Sequence, residues 1–195
     1  MRSWLNTFRK PESSPLDDLA RLIVQNSLRD AEALKPSIKA TDDKDHTQRW
    51  FAVVCEFLYF FMHPANRFAY KELGHGRRCK VQDRLHPLIV RPTIETIFGH
   101  SPTNLKDGME REFFEKLNSA EIEYGECKQL IDRDNPLSQD ALFSKFAGNV
   151  CELLGLEKAD TATYANTFMK VIDIAIDSFK ELNLSETLRV AGKGL

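Results

Sequence analysis

The sequence has few cysteines, and none of them forms a C-x-x-C pair. The four are widely separated along the 195 residues: Cys55, Cys79, Cys127 and Cys151. This spacing does not fit a zinc-ligand motif or the dense disulfide framework of a small secreted protein. The sequence also lacks an apolar stretch near Met1 of the kind found in signal peptides. We therefore expect a reducing compartment and a cytoplasmic location.

Motifs of enzyme chemistry are missing as well. The sequence contains no G-x-S-x-G, H-E-x-x-H or P-loop motif. One Glu-x-x-His pair, Glu72 and His75, matches half of a di-iron pattern, but that site requires a second pair and two further carboxylates. The sequence therefore predicts no metal and no cofactor, and it favours a protein that is not an enzyme.

The chain also lacks an excess of charge of one sign, since its formal net charge is −2. A balance this close to neutral gives no general attraction to nucleic acid or to anionic lipid. The segment 1–10 is a local exception, because Trp4 and Phe8 lie among three basic residues there. A short amphipathic segment binds membranes weakly on its own. We expect no nucleic-acid binding, and only a weak membrane contact through Trp4 and Phe8.

Strict alternation of apolar and polar residues, the pattern of a half-buried strand, is absent too. Apolar residues recur instead at steps of three and four, which is the spacing of amphipathic helices. The pattern predicts an all-α, single-domain bundle of about six helices over residues 14–184. Residues 1–13 are expected to form a flexible N-terminal tail, and residues 185–195 a C-terminal tail.

A buried, aromatic-rich helix at about residues 45–72 is expected at the centre of this bundle. Its segment 50–62 is almost wholly apolar and carries a single carboxylate, Glu56. A helix that is apolar on every side must be surrounded by protein or lipid, and this run is too short to cross a bilayer. The segment is therefore predicted to lie inside a bundle of helices.

Prolines make the middle of the chain difficult to assign. Pro64 falls within the central helix, where a proline should kink or break it. Pro87 and Pro92 are expected to divide the following segment into two or three short pieces. The path of the chain between His86 and Pro102 is therefore not predicted.

A polar stripe is the strongest functional signal. Five residues of the central helix share one face if the helix continues through its proline: Glu56, Tyr59, His63, Arg67 and Tyr70. Glu56 and His63 are candidate acid and base groups, and the other three are candidate ligand contacts. The alternative is structural, because a buried carboxylate needs a partner such as His63, Arg67 or a group on another helix.

A second candidate is the turn at residues 74–78, within a segment rich in positive charge. Residues 67–91 include seven basic and two acidic side chains. Arg77 and Arg78 follow two glycines at a possible helix start, where guanidinium and backbone N–H groups could hold an anion. The alternative is that this basic segment is solvated or paired with the acidic segment 107–134.

Two functional hypotheses follow. The leading one is a non-enzymatic interaction or regulatory protein that uses a helical face to bind a protein partner or a second copy of itself. The other is a small-ligand-binding or catalytic bundle centred on Glu56 and His63, with Arg77 and Arg78 as anion contacts.

Overall fold

A computed structural model of the chain describes residues 14–132, 134–135, 138–157 and 160–194. Within these residues the chain forms seven α-helices: α1 (Pro15–Leu34), α2 (Asp43–Leu73), α3 (His75–Phe98), α4 (Thr103–Gly125), α5 (Leu142–Leu153), α6 (Thr161–Leu182) and α7 (Leu184–Ala191). Short 3-10 segments follow α1 and α7. The predicted all-α bundle is confirmed.

Helix α2 lies at the centre of the bundle, as predicted. It contacts α1, α3, α4, α5 and α7. Aromatic rings fill the space between α2 and α5, where the ring centroids of Phe60 and Phe146 are 4.2 Å apart. Phe57 packs on the same Phe146 ring with a centroid distance of 4.9 Å. None of the helices in the described ranges combines the length and the apolar character needed to cross a membrane.

The break expected near Pro64 does not occur, because α2 continues as one helix from Asp43 to Leu73. Pro64 removes one backbone hydrogen bond and crowds the preceding turn. The cost is offset by burial on both sides of it, since the residues from Phe57 to Ala65 are all buried. The five polar residues of the stripe therefore lie on a single helix.

The division expected at Pro87 and Pro92 is also wrong, because both lie inside the single helix α3. Its buried positions recur mainly at steps of four, as in Val81, Leu85 and Ile89, and they face α1, α2 and α4. Packing of this stripe outweighs the helix-breaking tendency of the two prolines. The chain then turns at residues 99–102 and enters α4.

The loop between α4 and α5 is longer than the hydrophobic pattern suggests. In the sequence, apolar residues continue at steps of three and four from Leu105 to Ile131, yet helix α4 ends at Gly125. The chain doubles back so that the amides of Leu142 and Phe143 donate to the carbonyls of Gln129 and Leu130, at 2.9 and 3.1 Å. Backbone groups of the loop thus cap the first turn of α5, which lacks a side-chain cap.

The prediction of a C-terminal tail over 185–195 is wrong for residues 185–194, which are helical, and Leu195 lies outside the described residues. Asn183 adopts a left-handed conformation (φ 41°) and turns the chain directly from α6 into α7. Leu184, Leu188 and Ala191 are buried, and α7 packs against α1 and α2. The N-terminal tail over 1–13, with Trp4 and Phe8, lies outside the described residues.

A buried polar cluster joins α1 to α6. The Asp30 carboxylate accepts hydrogen bonds from the Ser178 hydroxyl at 2.5 Å and from Arg29 Nε at 3.0 Å. Burial raises the pKa of Asp30, although the bonds from Ser178 and Arg29 act in the opposite direction. Ser178 is fully buried. This cluster ties two helices together inside the bundle.

Candidate functional site

The polar stripe of α2 divides into a buried part and an exposed part. Tyr59 and His63 are 5% and 4% exposed, and Glu56 is partly buried. Arg67 and Tyr70 are exposed, Tyr70 to 56%. The stripe therefore runs from the bundle interior to the surface along one face of the helix.

Glu56 is held by groups on two other helices. Its Oε1 atom accepts hydrogen bonds from the Tyr124 hydroxyl of α4 and, at 3.0 Å, from Asn149 Nδ2 of α5. Burial raises the pKa of Glu56, and these two hydrogen bonds only partly oppose the shift. The pKa of Tyr124 is raised well above 10 by burial and by the charge of Glu56. The structural alternative named His63, Arg67 or a group on another helix as the partner of Glu56. The structure shows groups on two other helices.

His63 is fixed by a carboxylate of α4. Its Nδ1 atom lies 3.0 Å from Glu121 Oε2, which also accepts a hydrogen bond from Asn66 Nδ2 at 3.3 Å. Because a carboxylate oxygen accepts, the ring hydrogen belongs on Nδ1. The Nε2 atom of His63 has no hydrogen-bond partner among the described residues. The pair therefore sets both the ring orientation and the nitrogen that remains available.

A cleft of about 200 Å³ opens beside His63, between α2, the end of α4 and the start of the loop that follows α4. The polar residues that line it are His63, Arg67, Tyr124, Lys128 and Gln129. Tyr124 lines the cleft, and its hydroxyl donates a hydrogen bond to Glu56. The cleft brings together two residues of the predicted stripe, His63 and Arg67.

The other side chains of the cleft are mainly apolar. Pro64 and Phe68 of α2 face Leu130 of the loop and Leu142 of α5 across it. Leu142 is buried, whereas Leu130 is 44% exposed. The cleft therefore offers an apolar wall close to a buried imidazole and an exposed guanidinium.

The two cations of the cleft differ in their surroundings. Lys128 Nζ lies 2.8 Å from Asp140 Oδ2, so a carboxylate already offsets its charge. Arg67 forms no ion pair with any of the described residues. Its guanidinium is the group in the cleft best able to receive a ligand anion.

The remaining predicted contacts lie elsewhere. Tyr59 packs on Phe113 of α4, with ring centroids 4.8 Å apart, and burial raises its pKa. The Arg78 guanidinium lies 5.9 Å from the centroid of the Tyr70 ring. Arg77 Nη1 donates to the carbonyl of Gly192 at 3.3 Å. None of these residues lines the cleft, so the predicted basic turn is separate from it.

The proposed pairing between the basic and the acidic segment is observed only in part. Arg91 Nη1 lies 2.8 Å from Asp107 and 3.3 Å from Glu110. Arg84 instead reaches Asp17 of α1, at 3.3 Å. The acidic residues of α4 thus neutralise one end of α3 and leave its first turn, with Arg77 and Arg78, to other contacts.

A thiol is also part of the cleft lining. Cys127 lines the cleft, but burial raises the pKa of this thiol, which keeps it protonated and a poor nucleophile. Across the described ranges, no group of three or more His, Cys, Asp and Glu side chains is arranged to hold a metal ion. The available groups can orient a ligand and neutralise its charge.

Three functional side chains were missed by sequence reasoning: Tyr124, Glu121 and Asn149. In the sequence, Tyr124 falls in line with the apolar positions of α4, but a buried tyrosine hydroxyl requires a hydrogen-bond partner. That requirement was the available signal. Glu121 and Asn149 carry no comparable signal, because they look like ordinary polar residues of amphipathic helices.

Comparison of the chain with protein-family models, with curated protein sequences and with solved structures found no match. Its function has to be inferred from the geometry of the site.

Proposed function

We propose that this protein binds a small molecule in the cleft between α2, α4 and the loop that follows α4. The observation that supports this proposal is the pairing of His63 with Glu121 at the wall of the cleft. A histidine that is only 4% exposed costs free energy to bury unless its polar atoms are satisfied. Glu121 satisfies one ring nitrogen and leaves the other without a partner in the described part of the chain.

Orientation of the polar groups supports the same function. A binding site gains affinity when its contact groups are already fixed before the ligand arrives. His63 is fixed by Glu121, and Tyr124 is fixed by Glu56. Neither Glu121 nor Glu56 lines the cleft itself. The cleft is therefore preorganised on the α2–α4 side.

The size of the cleft limits the ligand. Sites for drug-sized molecules have volumes of roughly 300–1,000 Å³. The cleft has about 200 Å³, so it suits a smaller molecule, such as one with a single ring or a short chain. For a cleft of this volume we propose that the protein binds its ligand and carries out no catalytic step.

The interaction or regulatory role, with a protein partner or as a homodimer, stays a prediction, as does the cytoplasmic location. A docking face requires apolar side chains that are exposed and contiguous. The exposed large apolar residues are instead distributed over α2, α4, the following loop, α6 and α7. Ligand binding in the cleft is therefore the better supported hypothesis.

A matched pair of tryptophan variants tests the binding function. Leu130 lines the cleft and is 44% exposed, whereas Leu105 lies on α4, does not line the cleft and is 47% exposed. We expect Leu130→Trp to fill the cleft and to weaken binding of small-molecule fragments at least about tenfold. Leu105→Trp should leave binding unchanged. Chemical-shift changes in ¹H–¹⁵N spectra, recorded with a mixed fragment set, give the affinities.

Two outcomes would contradict the proposal. In the first, no fragment shifts the amides of Phe68 or Lys128 in the wild-type protein. In the second, the two variants weaken binding equally, which would place the bound fragments outside the cleft. Thermal unfolding of both variants checks that each still folds.

A further inference from the structure

We infer that the ligand of the cleft is a small monocarboxylate with an apolar body. This inference rests on the proposed binding function and adds the chemical class. It combines three observations. They are the charge balance of the cleft, the planar guanidinium of Arg67, which has no ion-pair partner among the described residues, and the apolar residues that line the rest of the cleft.

The charge balance favours an anion with a single negative charge. Two of the cationic or protonatable groups at the cleft already face a carboxylate, because Asp140 lies beside Lys128 and Glu121 beside His63. Arg67 has no such partner among the described residues. The local surplus is therefore at most one positive charge. A dianion such as a phosphate monoester would carry more charge than the cleft neutralises.

The guanidinium group favours a carboxylate over other monoanions. Arginine presents N–H donors in a planar fork that matches the two oxygens of a carboxylate. Arg67 is exposed, and both it and His63 line the cleft one helical turn apart. A carboxylate on Arg67 would place the rest of the ligand alongside His63, where its shape can be read by the fixed ring.

The apolar residues determine what the carboxylate must carry. Pro64, Phe68, Leu130 and Leu142 lie around the remaining part of the cleft. A purely polar acid such as formate would leave this surface in contact with water. A ring or short alkyl chain would bury it, and apolar burial is the main source of affinity for a ligand of this size.

Three probes of similar size separate the possibilities. Benzoate carries one negative charge, benzyl alcohol is neutral, and phenyl phosphate approaches two negative charges at neutral pH. Each is titrated into the ¹⁵N-labelled protein up to millimolar concentrations, and shifts of the cleft amides give a Kd. We expect benzoate to bind most tightly.

The matched variants are Arg67→Gln and Lys71→Gln. Both side chains are exposed cations of α2, but only Arg67 lines the cleft. Loss of a charge-assisted hydrogen bond should weaken benzoate binding about tenfold in Arg67→Gln. Binding of benzyl alcohol should change less than about twofold, and Lys71→Gln should leave both probes near their wild-type values.

The outcomes distinguish this inference from the binding function. If benzyl alcohol or phenyl phosphate binds the cleft more tightly than benzoate, the ligand class is wrong and the binding function stands. The class is equally wrong if benzoate binding responds alike to the two variants. If none of the probes and none of the mixed fragments shifts the cleft amides, both proposals fail.

Discussion

Asp30 and Glu56 are both carboxyl groups held by a hydroxyl on a neighbouring helix, Asp30 by Ser178 and Glu56 by Tyr124. Burial raises the pKa of both. The two clusters differ in what surrounds the hydroxyl group. Ser178 and Tyr124 are both fully buried, but the Ser178 cluster joins α1 to α6, whereas Tyr124 is one of the residues that line the cleft. Burial and a raised pKa are common to both clusters, and what distinguishes them is that one contributes a residue to the lining of the cleft.

The largest effect expected from this comparison is on stability. Ser178→Ala and Tyr124→Phe each remove one hydroxyl that donates to a buried carboxyl group. We expect Ser178→Ala to lower the free energy of unfolding by about 2–3 kcal/mol, because Asp30 lies in the interior with only the Arg29 contact left. Tyr124→Phe should cost about 1 kcal/mol, since Glu56 keeps Asn149 and is less buried.

Urea unfolding at neutral pH measures both costs under the same conditions. Equal costs, or a larger cost for Tyr124→Phe, would mean that the two clusters have the same structural role. In that case the contrast between the Asp30 cluster and the Glu56 cluster, which adjoins the cleft, would not hold.

A smaller effect is expected on affinity. Asp140 is exposed and offsets Lys128 at the cleft. Replacing it in Asp140→Asn should add one positive charge to the local surplus. We expect phenyl phosphate to bind about threefold more tightly relative to benzoate, at low salt, with little change in stability. Titrations of both probes against wild type and variant give the ratio, and an unchanged ratio would contradict the charge balance proposed for the cleft.

The smallest effect is a dependence on pH. The pKa of Glu56 in the folded protein lies above its ordinary value of 4.5. Its contribution to stability is therefore fully present below pH 4.5 and is lost as the pH rises through the folded pKa. Glu56→Gln, which stays neutral, should become more stable relative to wild type as the pH rises through this window.

Urea unfolding of Glu56→Gln and wild type, measured in parallel from about pH 5 to 8, gives this difference. A difference that stays constant, or that moves in favour of wild type at higher pH, would contradict a raised pKa of Glu56 in the folded protein.

Local sequence signals predicted local structure well. Ser14 followed by Pro15 and Asp17 is a typical sequence pattern of a helix start, and the structure shows Ser14 and Asp17 in a reciprocal capping box at the start of α1. The same reasoning was wrong at Pro87 and Pro92, because the packing of α3 against three other helices overrides the local preference. Helix α7 was missed because eight residues carry too short a pattern to be distinguished from a tail.

Only the part of the candidate site that lies on α2 could be predicted from the sequence. The spacing of His63 and Arg67 on α2 indicated that they share a face, and both line the cleft. The residues of α4 that bind the stripe lie far along the chain. Glu121 lies 58 positions after its partner His63, and Tyr124 lies 68 positions after its partner Glu56. Which turn of α4 faces which turn of α2 depends on how the helices pack, and the period of a single helix carries no information on that.

The backbone bonds that cap α5 have a consequence for how the cleft opens. Leu130 forms part of the cleft, and its carbonyl accepts from Phe143 in the first turn of α5. If these loop residues detach, two amides of α5 lose their protection from hydrogen exchange and the cleft loses a wall in the same event. We therefore expect the cleft to open by local detachment at one helix end, in a shorter time than the global unfolding of the bundle requires.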